Sequence, residues 1–214
     1  MIYSRLNPEK ALIWRIVHRD NLPWILDNGL HCTNADQTAP RHVALGNADG
    51  IDKCRSRQVP VAPGGVLADY VPFYFTPFSL LMKNIHSGWS VQRRDNDEVV
   101  ILVASLRRIA QLGLPFVYTN AHAYPAWTHY YNDLVDLDQI DWPLLQHRDF
   151  TRDPDDPRKV ERYQAEALIQ HHLPVTALQG IICHSEAMKE RIEREVTSRD
   201  LVLPVHARPG WYFQ

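Results

Sequence analysis

Apolar residues in this chain come in short blocks, and their spacing switches between the two-residue period of a strand and the 3.6-residue period of a helix. Residues 13–17 are apolar around a single arginine and read as a strand. A polar step, His18-Arg19-Asp20-Asn21, follows; Asp20 or Asn21 suits a helix N-cap, Pro23 a first turn and Asn28-Gly29 a stop, so a short helix is expected over residues 22–27. Residues 71–76 alternate so that Phe73 and Phe75 share one face of a strand and Tyr74 takes the other. The run EVVILVA at 98–104 predicts the most deeply buried strand. Over residues 160–170 the Glu, Arg, Gln, Ala and Leu content predicts a helix by local propensity. Further on, the pattern predicts a short strand around Gly180-Ile181-Ile182, an exposed amphipathic helix over 186–199 and a last strand over 201–205. Residues 34–50 and 148–159 lack a period and are rich in turn formers, as expected of long surface loops.

Composition narrows the class. A chain of 214 residues with 45% hydrophobic and 22% charged side chains can bury a full core, and one domain over residues 1–214 is expected. No apolar run reaches the roughly 18 residues of a membrane span, and MIYSRLNPEK has no signal-peptide pattern, so no membrane partner and a cytoplasmic location are expected. Three cysteines, Cys32, Cys54 and Cys183, fit neither a disulfide framework nor a zinc pattern and read as buried thiols. The eleven histidines form no ligand spacing, so no metal is expected. With 23 basic against 25 acidic residues the net charge is −2, and any polyanionic partner must be held by local patches.

Several segments, collinear and spread over the whole chain, resemble the DarT family of DNA ADP-ribosyltransferase toxins. They are Ile16-Val17-His18-Arg19-Asp20-Asn21-Leu22, Val71-Pro72-Phe73-Tyr74-Phe75-Thr76-Pro77, Thr119-Asn120-Ala121-His122-Ala123, Tyr131-Asn132-Asp133-Leu134 with Asp141-Trp142, Gln164-Ala165-Glu166, and Arg208-Pro209-Gly210-Trp211-Tyr212-Phe213. The chain departs from the family pattern after Pro77, where Phe78-Ser79 stands in place of an arginine and a serine. The resemblance implies an α+β, ADP-ribosyltransferase-like fold: a split antiparallel β core with surrounding helices and an NAD cleft. It also implies NAD as substrate, transfer of ADP-ribose to a base of single-stranded DNA, release of nicotinamide, and an antitoxin protein that removes the modification. A protein acceptor, or a binding module without turnover, is the alternative.

The resemblance distributes roles along the chain. Glu166 is the candidate catalytic carboxylate, because breaking the glycosidic bond of NAD builds positive charge on the ribose. It also implies that residues 165–169 form a strand, against the local propensity. The family's arginine falls on Arg55 or Arg57; Arg55 is favoured, as a catalytic or pyrophosphate-binding cation. His18 is expected to hydrogen-bond a ribose of NAD, Gly29 to let the dinucleotide or a helix cap approach closely, and Tyr74 to face the cleft and stack on nicotinamide. Single-stranded DNA is expected to meet aromatic surfaces among His122, Tyr124, Trp127, His129 and Tyr130, with Trp127 in the core, and cations among Arg148, Arg152, Arg158 and Lys159.

Overall fold

The computed structural model describes residue 3 and residues 5–46 and 55–214. In chain order the elements are β1 (Leu12–His18), α1 (Leu22–Asn28), β2 (Leu30–His31), β3 (Tyr70–Tyr74), α2 (Leu80–Ser87), β4 (Val99–Ser105), α3 (Leu106–Gln111), β5 (Phe116–Thr119) and β6 (Tyr130–Tyr131). They continue with α4 (Trp142–His147), α5 (Lys159–Arg162), β7 (Glu166–Gln170), β8 (His172–Leu173), β9 (Gly180–Cys183), α6 (Glu186–Thr197) and β10 (Val205–Ala207). Eight strands form one sheet in the order β10-β9-β4-β1-β3-β7-β5-β6, and β2 pairs with β8 beside it. All neighbours in the large sheet are antiparallel except β10 and β9. This is the expected α+β architecture.

Burial dictates the sheet. Every residue of β4 is buried, so the strand takes a central place between β1 and β9 and reads as an unbroken apolar run. β1 lies against β4 over seven residues, Leu12↔Ser105 to His18↔Val99. On its other side it meets β3 at a single pair, Trp14↔Tyr74. Beyond that rung the sheet splits. A β1 side chain also links across the split: Arg15 Nη1 donates to the Pro72 carbonyl at 2.7 Å.

The helices carry the stop and start signals their sequences suggest. α6 buries Met188, Ile192 and Val196, spaced four apart on one face, and Ser185 Oγ caps it by accepting the Met188 N–H at 3.1 Å. α2 is capped in the same way by Ser79 and ends at Gly88, which has φ +75°. α1 runs to Asn28, one residue past expectation, and Gly29 takes φ +78°.

Two readings from local pattern are corrected, the first in the direction the family resemblance implied. The helix predicted over 160–170 stops at Arg162, and Glu166–Gln170 is a strand, paired with β3 through Phe73↔Ala167 and with β5 through Tyr118↔Ala167. Ala167, Leu168 and Ile169 are buried there, and such burial outweighs helix preferences of a few tenths of a kcal/mol per residue. The last strand begins at Val205, where the strand predicted over 201–205 ends. Pro204 has no N–H to give a ladder; its carbonyl accepts from Ile181, and pairing with β9 starts at Val205↔Ile181.

On the face away from the split, Phe75 packs edge-on to Tyr118 and Trp142, and Trp14 packs edge-on to Trp211, which also meets Tyr3 and Phe78. A smaller apolar cluster, Val59, Tyr70, Val117, Ala123, Tyr130 and Leu168, lies beneath the turn at 120–130. Cys32 and Cys183 are buried free thiols; Cys54 lies outside the described residues. Among the described residues no helix is long and apolar enough to cross a membrane.

Candidate active site

The split between β1 and β3 opens into a cleft of about 580 Å³. Its lining joins Arg15 and His18 of β1, the stretch His42 to Gly46, Arg55, Tyr74 of β3, the turn His122-Ala123-Tyr124, and Gln164 and Glu166 at the start of β7. Side-chain alternation explains the β3 contribution. Val71, Phe73 and Phe75 point into the core, while Pro72 and Tyr74 face the cleft, Tyr74 as the sequence predicted.

Glu166 is 8% exposed and held from several directions. Its Oε2 accepts the Ala123 N–H at 2.8 Å, and its own N–H donates to Thr119 Oγ1 at 3.1 Å. The Ala123 turn is fixed in its place by Tyr130, whose hydroxyl donates to the Ala123 carbonyl at 2.5 Å, and by Thr128 Oγ1 donating to the His122 carbonyl at 2.7 Å. Tyr74 lies directly across from Glu166 in the β3/β7 register. Burial first, and the Glu166 charge second, push the Tyr74 phenol well above its ordinary pKa, so it stays a neutral donor. Burial brings the Arg15 guanidinium down to about 10, which leaves it cationic at neutral pH, and its Nε is buried with no hydrogen-bond partner. Burial and Arg15 together lower the pKa of His42, keeping that imidazole neutral. A carboxylate, a neutral phenol, a neutral imidazole and an arginine with an unused donor therefore line one cavity.

Of the two candidate arginines, Arg55 lines the cleft; Arg57 does not, and its carbonyl accepts the Leu67 N–H. Neither Arg15 nor His42 was singled out from the sequence, although an arginine interrupting the apolar run of 13–17 is a signal that could have found the first. His18 reaches the cleft, but its ring nitrogens are engaged elsewhere: Nδ1 accepts the Asp20 N–H at 3.2 Å and Nε2 lies 3.4 Å from Glu98 Oε1. His18 thus lies where the sequence placed it, in the cleft wall, with its ring held by Asp20 and Glu98. Gly29 is not among the cleft-lining residues; a side chain there would strike His172 and the Leu173 carbonyl, so packing accounts for the glycine.

Among the expected DNA contacts, His122 and Tyr124 line the cleft, and Arg152 and Arg158 are exposed. Arg158 stands 4.8 Å from the ring centre of Trp127, which is half-buried instead of lying in the core. Three residues are corrected. Tyr130 is buried in the small cluster under the turn and offers no ring surface. The Arg148 guanidinium lies on the Phe78 ring at 3.3 Å and near Tyr3, inside the aromatic layer. Lys159 is buried and paired with Asp149 at 2.5 Å.

A second concavity, lined by Arg19, Asp95, Asn96, Asp97, Glu98 and His184, is acidic, but its carboxylates serve the fold. Glu98 Oε2 accepts the Asp95 N–H at 2.9 Å, and Asp97 accepts from Ser185 at 2.9 Å. Among the described residues no three His, Cys, Asp or Glu side chains converge as a metal site.

Comparison with known proteins agrees with this geometry. Residues 14–213 match the family model described as "DarT: ssDNA thymidine ADP-ribosyltransferase, DarT". A DNA ADP-ribosyl transferase of Escherichia coli O127:H6 is 59% identical over 211 residues, covering 98% of this chain and 97% of the relative. The structure of Thermus sp. 2.9 DarT in complex with ADP-ribosylated ssDNA superposes with a TM-score of 0.88 at 30% identity, over 96% of this chain and 98% of that one. The same Thermus protein in complex with NAD+ gives 0.84, again at 30% identity, over 96% and 99% of the two chains. With the family pattern spanning the sheet, the split and the Glu166 strand alike, this chain belongs to the DarT family of single-stranded-DNA ADP-ribosyltransferases and is an enzyme that uses NAD as substrate.

Proposed function

We propose that the chain transfers ADP-ribose from NAD to the N3 nitrogen of thymine in single-stranded DNA, with Glu166 as the catalytic carboxylate. One observation carries the assignment: a buried carboxylate, oriented by the Ala123 amide and opposite Tyr74, sits in the wall of a cleft large enough for a dinucleotide. As the bond between nicotinamide and ribose lengthens, positive charge grows at the anomeric carbon, and the Glu166 carboxylate stabilises it. In thymidine N1 carries the sugar, so N3 is the ring nitrogen that bears a hydrogen. N3 bonds to the anomeric carbon, nicotinamide leaves with the electron pair of the broken bond, and the N3 proton passes to Glu166. An unpaired base avoids the unstacking cost that a duplex would impose.

Arg55 and Arg15 supply cationic donors for the pyrophosphate, and Tyr74 stacks on the nicotinamide. His18 serves the dinucleotide through its main chain at the open edge of β1, since its ring is committed to Asp20 and Glu98. The DNA strand runs over His122, Tyr124 and the Trp127-Arg158 pair, with Arg152 beside its phosphates. N3 lies on the Watson–Crick edge, so the product blocks pairing. The fitting partner is therefore an antitoxin enzyme that hydrolyses the new glycosidic bond, and the fitting location is the cytoplasm, with its DNA and NAD.

The test is incubation with NAD and two single-stranded oligonucleotides that differ only in thymine content, with an unrelated protein as control acceptor, followed by mass spectrometry. Gain of one ADP-ribose on the thymine-containing strand alone is expected. Label on the other strand or on the protein would overturn the acceptor assignment. The DNA path is tested separately. In the Arg152→Gln/Arg158→Gln variant the slope of log affinity against log salt is expected to flatten by about 1.4, two phosphates at roughly 0.7 each for single strands. NAD affinity should stay within about twofold, since neither side chain lines the cleft. An unchanged slope would place the strand elsewhere.

A further inference from the structure

Asn21 is 3% exposed and sits at the N-cap of α1, yet its side chain makes no capping bond to the helix. Its carboxamide instead pairs with one peptide unit of a distant loop: Nδ2 donates to the Val43 carbonyl at 2.8 Å, and the Val43 N–H donates to Oδ1 at 2.9 Å. An amide side chain thus replaces the neighbouring strand that Val43 lacks. Residues 36–46 have no helix or strand, and among the described residues these two are the hydrogen bonds that tie them to the rest of the protein. The same stretch supplies His42, Val43, Ala44, Leu45 and Gly46 to the cleft lining, which Asn21 itself joins together with Tyr74 and Glu166.

We propose that Asn21 is a positioning residue that clamps residues 42–46 as one wall of the cleft and so governs capture of NAD without taking part in bond breaking. This rests on the reading of the cleft as the NAD site. What distinguishes it from an ordinary buried asparagine is that both ends of its carboxamide serve one peptide unit 22 residues away, in a stretch without helix or strand. Without the clamp the wall samples many conformations, and NAD binding must then order it at an entropic cost.

The test compares the whole enzyme with Asn21→Ala and with Asn21→Asp, which keeps the acceptor for the Val43 N–H and loses the donor. Asn21→Ala is expected to raise KM for NAD roughly tenfold or more, the scale of two neutral hydrogen bonds, with kcat at saturating NAD changed by less than about threefold. Asn21→Asp should fall between. The second measurement needs no NAD: amide hydrogen exchange or limited proteolysis of residues 36–46 should be faster in Asn21→Ala than in the wild type, while exchange in β4 stays unchanged. A raised KM with unchanged exchange at 36–46 would mean that Asn21 touches NAD directly and would overturn the clamp. A loss in kcat alone would overturn it as well. If Asn21→Ala does not fold, Val43→Pro removes one bond of the pair from the loop side and should give the same faster exchange around it; unchanged exchange there would count against the clamp. Failure of the wild type to bind NAD would instead sink the reading of the cleft, and the exchange result would stand apart from it.

Discussion

Glu166→Gln is expected to lower ADP-ribose transfer by about 10²-fold to 10³-fold while leaving the fold intact, the scale for removing one group that stabilises charge in a transition state. Glutamine keeps an oxygen for the Ala123 N–H that Glu166 Oε2 now satisfies, so the turn at 120–124 has no reason to move. What disappears is the negative charge beside the anomeric carbon and the acceptor for the base proton. Single-turnover transfer at saturating NAD measures the loss, and calorimetric NAD affinity should change by only a few-fold. Turnover near the wild-type rate would remove Glu166 from the chemistry. Alanine is the poorer probe. It leaves the buried Ala123 N–H unpartnered, at about 1–3 kcal/mol, and mixes a stability defect with the catalytic one.

The largest stability effect is expected at Gly29. An added methyl would lie 2.4 Å from His172 Nε2 and 2.5 Å from the Leu173 carbonyl, at a backbone φ of +78° that L side chains rarely adopt. The carbonyl belongs to β8, held against β2 through Leu30↔Leu173, and cannot retreat without opening that pair. His172 is also tied, because its Nε2 and that of His31 both lie within 3.0 Å of the Asn28 carbonyl. Strain and steric overlap together should cost about 3 kcal/mol or more. For a chain of this size that lowers Tm by roughly 6–12 °C. A Gly29→Ala variant melting within about 2 °C of the wild type would show that the β2/β8 corner is softer than its contacts suggest.

Much of the site was legible because its residues sit where pattern and chemistry coincide. Alternation in 71–76 placed Tyr74 on the cleft face, and the family resemblance placed Glu166 on a strand that propensity alone would have made a helix. Propensity failed there because it cannot weigh the pairing of Ala167 with strands on both sides. The surroundings of the candidate DNA contacts were less legible, since charge in a sequence says nothing about what the charge already touches. Arg148 proved to be stacked on Phe78 and Lys159 to be paired with Asp149. His18 illustrates the same limit, with its ring nitrogens taken up by Asp20 and Glu98. The Asn21 clamp was invisible for another reason: it joins a helix cap to a loop 22 positions away that has no period to announce it.

The single rung between β1 and β3 has a mechanical consequence. The large sheet is two four-stranded plates, β10-β9-β4-β1 and β3-β7-β5-β6, riveted at Trp14↔Tyr74 and by Arg15 to Pro72. If NAD binds as proposed, a dinucleotide seated in the gap would take the place of the missing rungs, and the substrate would finish a piece of architecture the chain leaves incomplete. Stiffness and occupancy then become one variable. Substitutions that zipped the seam shut are expected to make a more robust protein and a dead enzyme, stability gained where turnover needs an open joint.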